Sequence, residues 1–301
     1  MAEIKKYTEL PPVIPSAAIT AAYSKQIRKM VKEMQKSVLY WIIAAYKKAP
    51  VLAEDAKDSE EKPRYLKETI MQRRRRLRRE KRLKGITTSP KRLQADIDSV
   101  MIRWEKKWAD FAEEVAKKYW DAVEGQGRFA MEQAFKEHGF TVNLKMTPEL
   151  KTVMESSVTE QVSLIKTIPR NYHDQITGMV QRSYQNNMDI KTLTKELKDL
   201  GHSTDRRAYL IARDQTAKMN DTINRTRCEG LGITHGKWMH RAGGSKSFRS
   251  SHVKMDGKIF ELAKGCYDDD PKIKRYIHCG ELPFCKCVYK PLLPFEMEGI
   301  K

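Results

Sequence analysis

The sequence predicts a mainly α-helical protein, an elongated bundle of long helices followed by a small C-terminal α+β module. Over residues 17–49 and again from residue 89 to residue 229, apolar side chains recur at steps of three and four, the spacing that places them on one face of a helix. After residue 233 this periodicity gives way to short β-like runs separated by glycine-containing turns. With 301 residues, the chain has room for two domains or one large one.

Four regions are predicted along the chain. Their bounds are 1–16 for an extended, proline-containing arm, 17–88 for an N-terminal helix and a basic segment, 89–188 for a body of long helices, and 189–301 for a C-terminal module. Within the module, helices are predicted over 189–229 and an α+β part over 230–301. An arm of this kind often docks on another subunit, and disorder is the alternative.

The first two long helices have recognisable boundaries. One is predicted from Ala17 to Ala49, because Pro50 cannot continue a helix. The other begins at Ser89–Pro90, with serine as the N-cap and proline in the first turn. Trp104 and Trp108 fall on the apolar stripe of this second helix. We therefore expect both rings to be packed core rather than a binding platform.

Local helix breakers predict several further boundaries. Gly125 and Gly127 are expected to interrupt the second long helix, and Pro169 is expected to break the third. Gly201 is expected to close a short helix that follows residue 189. The last helix of the series is then expected to reach Glu229.

The C-terminal part carries the strand signals. The predicted strands are Gly236–His240, Lys258–Leu262 and Lys286–Leu292. Gly243–Gly244 and Asp256–Gly257 are turn signals, and Asp-Gly is a favoured hairpin sequence.

The positive charge is concentrated near the start of the chain. The net charge is +19, and residues 1–95 contribute +14 of it. The densest run lies between residues 73 and 84, and its basic residues are Arg73, Arg74, Arg75, Arg76, Arg78, Arg79, Lys81, Arg82 and Lys84. Since a helix of this composition is basic on every face, we predict non-specific binding to double-stranded DNA through its phosphates. An acidic protein partner and a solvated helix are the alternatives.

No membrane partner is expected. The first residues lack the apolar core of a signal peptide, and the longest apolar run, 38–46, is shorter than the roughly 20 residues that span a bilayer. Five cysteines, four of them after residue 265, do not fit a secreted disulfide framework.

An ordered series of motifs occupies the segment from about residue 164 to 291. They are Leu210–Gln215 (LIARDQ), Arg249–His252 (R-x-x-H), Asp256–Phe260 (DGKIF), His278–Glu281 and Cys285–Cys287 (C-x-C). In this order the segment resembles the phage Mu F-like family of minor head proteins. Residues that match the family's structural motifs are Arg213, Asp214, Asn220, Arg249, His252, Asp256 and Gly257. The chain departs from the family at 244–247, where an acidic-basic cluster is replaced by Gly-Ser-Lys-Ser.

The resemblance implies a role in head morphogenesis. Proteins of this family are present in few copies in the procapsid, near the portal, and are linked to packaged DNA. The implied partners are the portal protein, the major capsid or scaffold protein, and double-stranded DNA. The implied location is the virion, inside the head near the portal vertex, with the host cytoplasm during assembly. A host nucleic-acid-binding regulator fits less well, because no helix-turn-helix or zinc-finger spacing is present.

Cysteine and histidine side chains cluster within this segment. We predict that His252, Cys279, Cys285 and Cys287 bind one structural zinc ion, because zinc takes four such ligands and the family pattern offers cysteines and histidines. Reduced structural thiols and a Cys279–Cys285 disulfide are the alternatives.

An enzyme is the competing functional prediction for residues 233–301. In a nuclease or a toxin-like module carried in the capsid, Arg249 would hold a phosphate, His252 would act as acid or base, and Asp256 would orient it. The alternative is that Arg249 and His252 brace a tight loop against the helix of Arg213. We expect the second, non-catalytic arrangement, with Arg213 in a buried pair with Asp214 or a carboxylate of the module.

Overall fold

The computed structural model describes residues 7–48, 90–185, 190–241 and 248–294. Four long helices account for most of them. Their bounds are Ala17–Lys48 (α1), Pro90–Glu137 (α2), Pro148–Gln185 (α3) and Ile190–Gly230 (α4). They precede a small sheet-containing region, which confirms the predicted mainly α fold with a C-terminal α+β module. The basic run between residues 73 and 84 and the turn at 243–244 lie outside the described residues.

The predicted breaks inside α2, α3 and α4 are wrong. α2 runs through Gly125 and Gly127, α3 contains Pro169, and α4 runs through Gly201. At two of these sites the glycine allows a close approach within the fold. A Cβ on Gly127 would lie 3.1 Å from Oδ1 of Asn224, and one on Gly201 would lie 3.1 Å from the Gln35 side chain. Tertiary packing therefore outweighs the local preference, which costs only about 1 kcal/mol for glycine.

Contacts divide the chain into two compact units, each assembled from separated segments. The sheet unit comprises residues 1–28, 110–165 and 207–301, and the helical unit comprises residues 29–109 and 166–206. None of the helices among the described residues is long and apolar enough to cross a membrane.

The helical unit is held by the apolar stripes that the sequence predicts. Trp108 is fully buried and Trp104 nearly so, which confirms that they are core residues. Their buried neighbours in this unit are Val31, Met34, Val38, Ile42, Leu93, Ile97, Val100, Met101, Ile168, Tyr172, Ile176, Val180, Leu193, Leu197 and Leu200. Hydrogen bonds add to this packing, including one from Nε2 of Gln35 to the carbonyl of Gly201 at 2.7 Å.

In the described part of the sheet unit, six strands and one short helix accompany segments of the long helices. The strands are Tyr7–Glu9 (β1), His235–Met239 (β2), Ile259–Glu261 (β3), Cys266–Asp268 (β4), Arg275–Ile277 (β5) and Val288–Pro294 (β6), and the helix is Ser250–Met255 (α5). Four strands form an antiparallel sheet in the order β1-β6-β2-β3, and β4 pairs with β5 separately. Three of these strands overlap the predicted ones.

One hydrophobic core joins the sheet to the helices of this unit. Its buried members are Leu10, Val13, Met131, Phe135, Leu144, Cys228, Ile233, Trp238, Met255, Phe260, Leu262, Cys266, Ile277, Cys279, Cys285, Cys287, Tyr289 and Leu293. All five cysteines therefore belong to the same core as the sheet, and Cys228 comes from the end of α4. Burial of this apolar surface is the main force that holds the module together.

The described part of the N-terminal arm packs on its own chain. Residues 7–9 pair with β6, and the N–H of Leu10 donates to the carbonyl of Pro291 at 2.9 Å. Further along the arm, Nδ2 of Asn220 donates to the carbonyl of Val13 at 2.9 Å in a buried position. Residues 7–13 of the arm therefore pack on their own chain, where β6 provides an edge for β1.

The Asp256–Gly257 turn does not join two strands. It follows α5 and leads into β3, and the N–H of Gly257 donates to the carbonyl of Trp238 at 2.9 Å. Gly257 adopts a φ of +77°, which glycine takes at no steric cost. The prediction of a turn was right, and the prediction of a simple hairpin was wrong because six helical residues are inserted between the two paired strands.

Candidate metal centre

Three buried side chains bring nitrogen and sulphur atoms together in the sheet unit. Nδ1 of His252 lies 3.5 Å from Sγ of Cys285 and 3.5 Å from Sγ of Cys287. The three ligand atoms all lie within 4.8 Å of one another. Each of the three residues is at most 5% exposed. Three of the four residues predicted to bind zinc are therefore adjacent in the fold.

His240 is a fourth neighbour, which the sequence prediction missed. Its Nδ1 lies 3.6 Å from Sγ of Cys287. The antiparallel pairing of β2 with β6 explains this position. Met239 lies opposite Val288, so His240, which follows β2, lies next to Cys287, which precedes β6. The backbone N–H of His240 donates to Oδ1 of Asp256 at 2.8 Å, so the Asp-Gly motif fixes the end of β2.

Cys279, the remaining predicted ligand, lies outside this group. It is 2% exposed and lines a small cavity with Asn220, Asp221 and Tyr289. Burial raises the pKa of its thiol well above the ordinary value. All five cysteines are free, so the alternative pair Cys279–Cys285 is not bonded.

The imidazole of His252 is held on both of its nitrogens. On the side away from the sulphurs, Nε2 lies 3.3 Å from Oδ2 of Asp268, and both side chains are almost completely buried. The ring also packs edge-on against Trp238, with ring centroids 5.7 Å apart. Asp268 ends β4, a strand that the sequence did not predict, so no sequence signal pointed to this carboxylate.

Hydrogen bonds and burial shift the pKa values of the two thiols in opposite directions. The pKa of Cys285 is lowered because the Cys287 side chain donates a hydrogen bond to it, with further contributions from His252. The pKa of Cys287 is raised, since it supplies that proton and is also buried. Of the two thiols, Cys285 is therefore the more acidic.

The loop that carries the first of these sulphurs is braced from two sides. Nη2 of Arg249 donates to the carbonyl of Pro283 at 3.0 Å. From α4, Oδ1 of Asp214 accepts a hydrogen bond from the N–H of Phe284 at 3.2 Å. Phe284 has a φ of +65°, an uncommon conformation for a side chain of this size, and these contacts hold it there.

Arg213 completes the brace on the side of α4. Its guanidinium lies 4.7 Å from the centroid of the Phe284 ring, and its Nη2 lies 3.0 Å from Oδ1 of Asp214. The pair with Asp214 is therefore present. It is not buried as predicted, because both side chains are more than a fifth exposed at the edge of the loop.

Arg249, His252 and Asp256 each contact a different group. Arg249 donates to the Pro283 carbonyl, and Asp256 accepts from the N–H of His240. His252 is 2% exposed and lies between the two sulphurs and Asp268. Arg249 and Asp256 therefore position backbone, as expected for the non-catalytic arrangement.

Comparisons with known proteins agree with the motifs. The family model described as Phage Mu protein F like protein matches residues 174–290. A Haemophilus influenzae protein, described as an uncharacterized protein, is 32% identical over 158 residues. This alignment covers 52% of the chain and 33% of the relative, so the chain spans about a third of the length of the curated relative it matches. No solved structure matches the chain.

Proposed function

We propose, on the premise that residues 174–290 belong to the Phage Mu protein F like family, that the protein is a minor head protein of a phage. It acts in procapsid assembly, inside the head near the portal vertex. Its partners in this proposal are the portal protein, the major capsid or scaffold protein, and packaged DNA. The observation that carries the proposal is the family match over the segment that contains the metal centre.

The use of the motif residues supports a structural role. Arg249, Asp214 and Asp256 all bond to backbone groups around the C-x-C segment. Asn220 bonds to the backbone of the N-terminal arm. Polar side chains that are committed to backbone atoms stabilise a shape, and they are not free to move protons or bind a substrate. The motifs therefore support a module that serves assembly through its surface.

The basic run supports contact with DNA inside the head. Nine of the twelve residues from 73 to 84 are basic and one is acidic. Such a run neutralises several phosphates and releases their counterions. Binding of this kind does not depend on the DNA sequence. A protein packed beside a filled genome meets DNA of every sequence, so this mode of binding fits the proposed location.

Incorporation into heads tests the proposal directly. In a producing host, gradient-purified heads are expected to contain the protein in fewer copies than the major capsid protein. Added protease should digest it only after the shell has been opened. Heads assembled without the protein provide the control, and we expect fewer of them to be filled with DNA. The proposal is overturned if the protein stays outside the heads and its removal leaves the number of filled heads unchanged.

The four consecutive arginines Arg73, Arg74, Arg75 and Arg76 should carry much of the DNA affinity. Replacing all four by glutamine is expected to weaken binding to random-sequence duplex DNA more than tenfold at moderate salt. The slope of log affinity against log salt should fall by up to about 3.6, since each phosphate contact contributes about 0.9. Fluorescence anisotropy with a labelled duplex over a series of salt concentrations measures both quantities.

A variant with the same loss of charge elsewhere controls for net charge. Its four glutamine substitutions replace the exposed helix residues Lys106, Lys117, Lys136 and Lys151. We expect a much smaller loss of affinity and a nearly unchanged salt slope. Equal slopes for the two variants would show that the net charge of +19, and not the basic run, is responsible.

A further inference from the structure

We propose that His240, His252, Cys285 and Cys287 bind one zinc ion in a closed, four-coordinate structural site. The ligand set differs from the one suggested by sequence, since His240 takes the place of Cys279. The inference does not depend on the proposed role in the phage head.

Three of the separations between the ligand atoms match those around tetrahedral zinc. Zinc–sulphur bonds of about 2.3 Å and zinc–nitrogen bonds of about 2.0–2.1 Å place sulphur and nitrogen about 3.5–3.6 Å apart. The two distances from Nδ1 of His252 to sulphur are both 3.5 Å. The distance from Nδ1 of His240 to Sγ of Cys287 is 3.6 Å. His240 lies outside the group of three whose ligand atoms are all within 4.8 Å of one another, so in this proposal its ring moves closer to that group when the ion binds.

Hydrogen bonding alone does not account for this arrangement. Nδ1 of a histidine takes part in one hydrogen bond, as either donor or acceptor. Here Nδ1 of His252 faces two sulphurs at the same distance. A cation at the centre of the group satisfies the nitrogen and both sulphurs together, because each then offers one lone pair to it.

A buried carboxylate lies on the side of His252 that faces away from the sulphurs. A ligating histidine usually donates its other N–H to a carboxylate, and Asp268 lies 3.3 Å from Nε2 of His252. Asp268 therefore stands where the carboxylate partner of a ligating histidine is commonly found.

The chemistry of the ligands selects the metal. Two thiolates and two imidazoles suit zinc, whereas magnesium and calcium require oxygen ligands. Three of the four residues are buried, so little room is left for water, and a closed site of this kind is structural. The ion would join the end of β2, the short helix α5 and the segment before β6.

The metal content of the untagged full-length protein is the first test. Purified without chelator, it is expected to contain one zinc per chain by mass spectrometry. Exchange with cobalt(II) should give the absorption bands of a tetrahedral site and the near-ultraviolet charge-transfer band of cobalt–thiolate bonds. Less than a tenth of an equivalent of zinc, together with no cobalt–thiolate band, would overturn the proposal.

Single variants then test the ligand set. Cys285→Ser and Cys287→Ser are each expected to reduce the charge-transfer band and to weaken zinc binding at least tenfold in competition with a chromophoric chelator. His240→Gln should weaken binding similarly while it leaves the charge-transfer band in place. Cys279→Ser is the matched control, a buried cysteine of the same core, and should retain one zinc and an unchanged spectrum.

Asp268→Asn tests whether Asp268 positions His252. Because this variant keeps all four proposed ligands, it tests the site without removing a ligand. It is expected to weaken zinc binding about 10–100-fold and to keep the cobalt–thiolate spectrum, because the ligands remain. Circular dichroism checks that each variant retains its helices. If Cys279→Ser loses zinc as Cys285→Ser does, or if His240→Gln binds zinc as tightly as the unaltered protein, the proposed ligand set is wrong.

Discussion

Replacing Gly280 by alanine is expected to destabilise the sheet unit by about 3 kcal/mol or more. Gly280 has a φ of +73°, and a Cβ there would lie 2.7 Å from the backbone carbon and oxygen of Ala217 in α4. Neither atom can move unless the helix moves. The left-handed conformation costs alanine about 1–2 kcal/mol, and the overlap adds about 1–3 kcal/mol. Denaturant unfolding followed by circular dichroism measures the loss.

Gly257→Ala is the matched control for this prediction. Its φ of +77° is nearly the same, and a Cβ there would meet no atom within 4 Å. Only the conformational cost of about 1–2 kcal/mol is therefore expected. The difference between the two variants isolates the contact of the loop before the C-x-C segment with α4. Equal losses would mean that this contact is looser than the structure shows.

Periodicity predicted the helices well because it reports burial directly. The stripe through Trp104 and Trp108 was predicted to be core, and both residues are buried. The breaks at Pro169 and Gly201 were predicted from local preference alone and do not occur. Packing against neighbours decides these cases, and the identity of those neighbours is not encoded within any short window of sequence.

The site was predicted in part, for a similar reason. His252, Cys285 and Cys287 are marked by spacing and by the motifs in which they stand. His240 and Asp268 reach the site through strand pairing and through a hairpin that has no strong sequence signal. Cys279 is close to Cys285 in sequence, yet it turns into the cavity beside Asn220. Closeness along the chain therefore identified the segment, and only the register of β2 with β6 places His240 beside Cys287.

Replacing Trp108 by alanine is expected to cost the helical unit about 3–5 kcal/mol, the range for removing a buried aromatic side chain. Trp108 is 0% exposed, so its removal leaves a cavity that the surrounding helices can only partly close. Trp108→Phe should cost less, because most of the volume is retained. Thermal and denaturant unfolding followed by circular dichroism give the free energy of unfolding for both variants.

Trp41→Ala is the control in the same unit. Trp41 is 46% exposed and has the guanidinium carbon of Arg103 5.9 Å from its ring centroid, so less than about 1 kcal/mol is expected. The difference between Trp108→Ala and Trp41→Ala shows whether this unit is stabilised mainly by the buried stripe of α2 or also by contacts of the exposed Trp41 ring. If burial of the α2 stripe dominates, the two substitutions differ by at least about 2 kcal/mol. If Trp41→Ala is as costly as Trp108→Ala, the exposed ring must be covered in solution, and the helical unit then depends on a second surface for its stability.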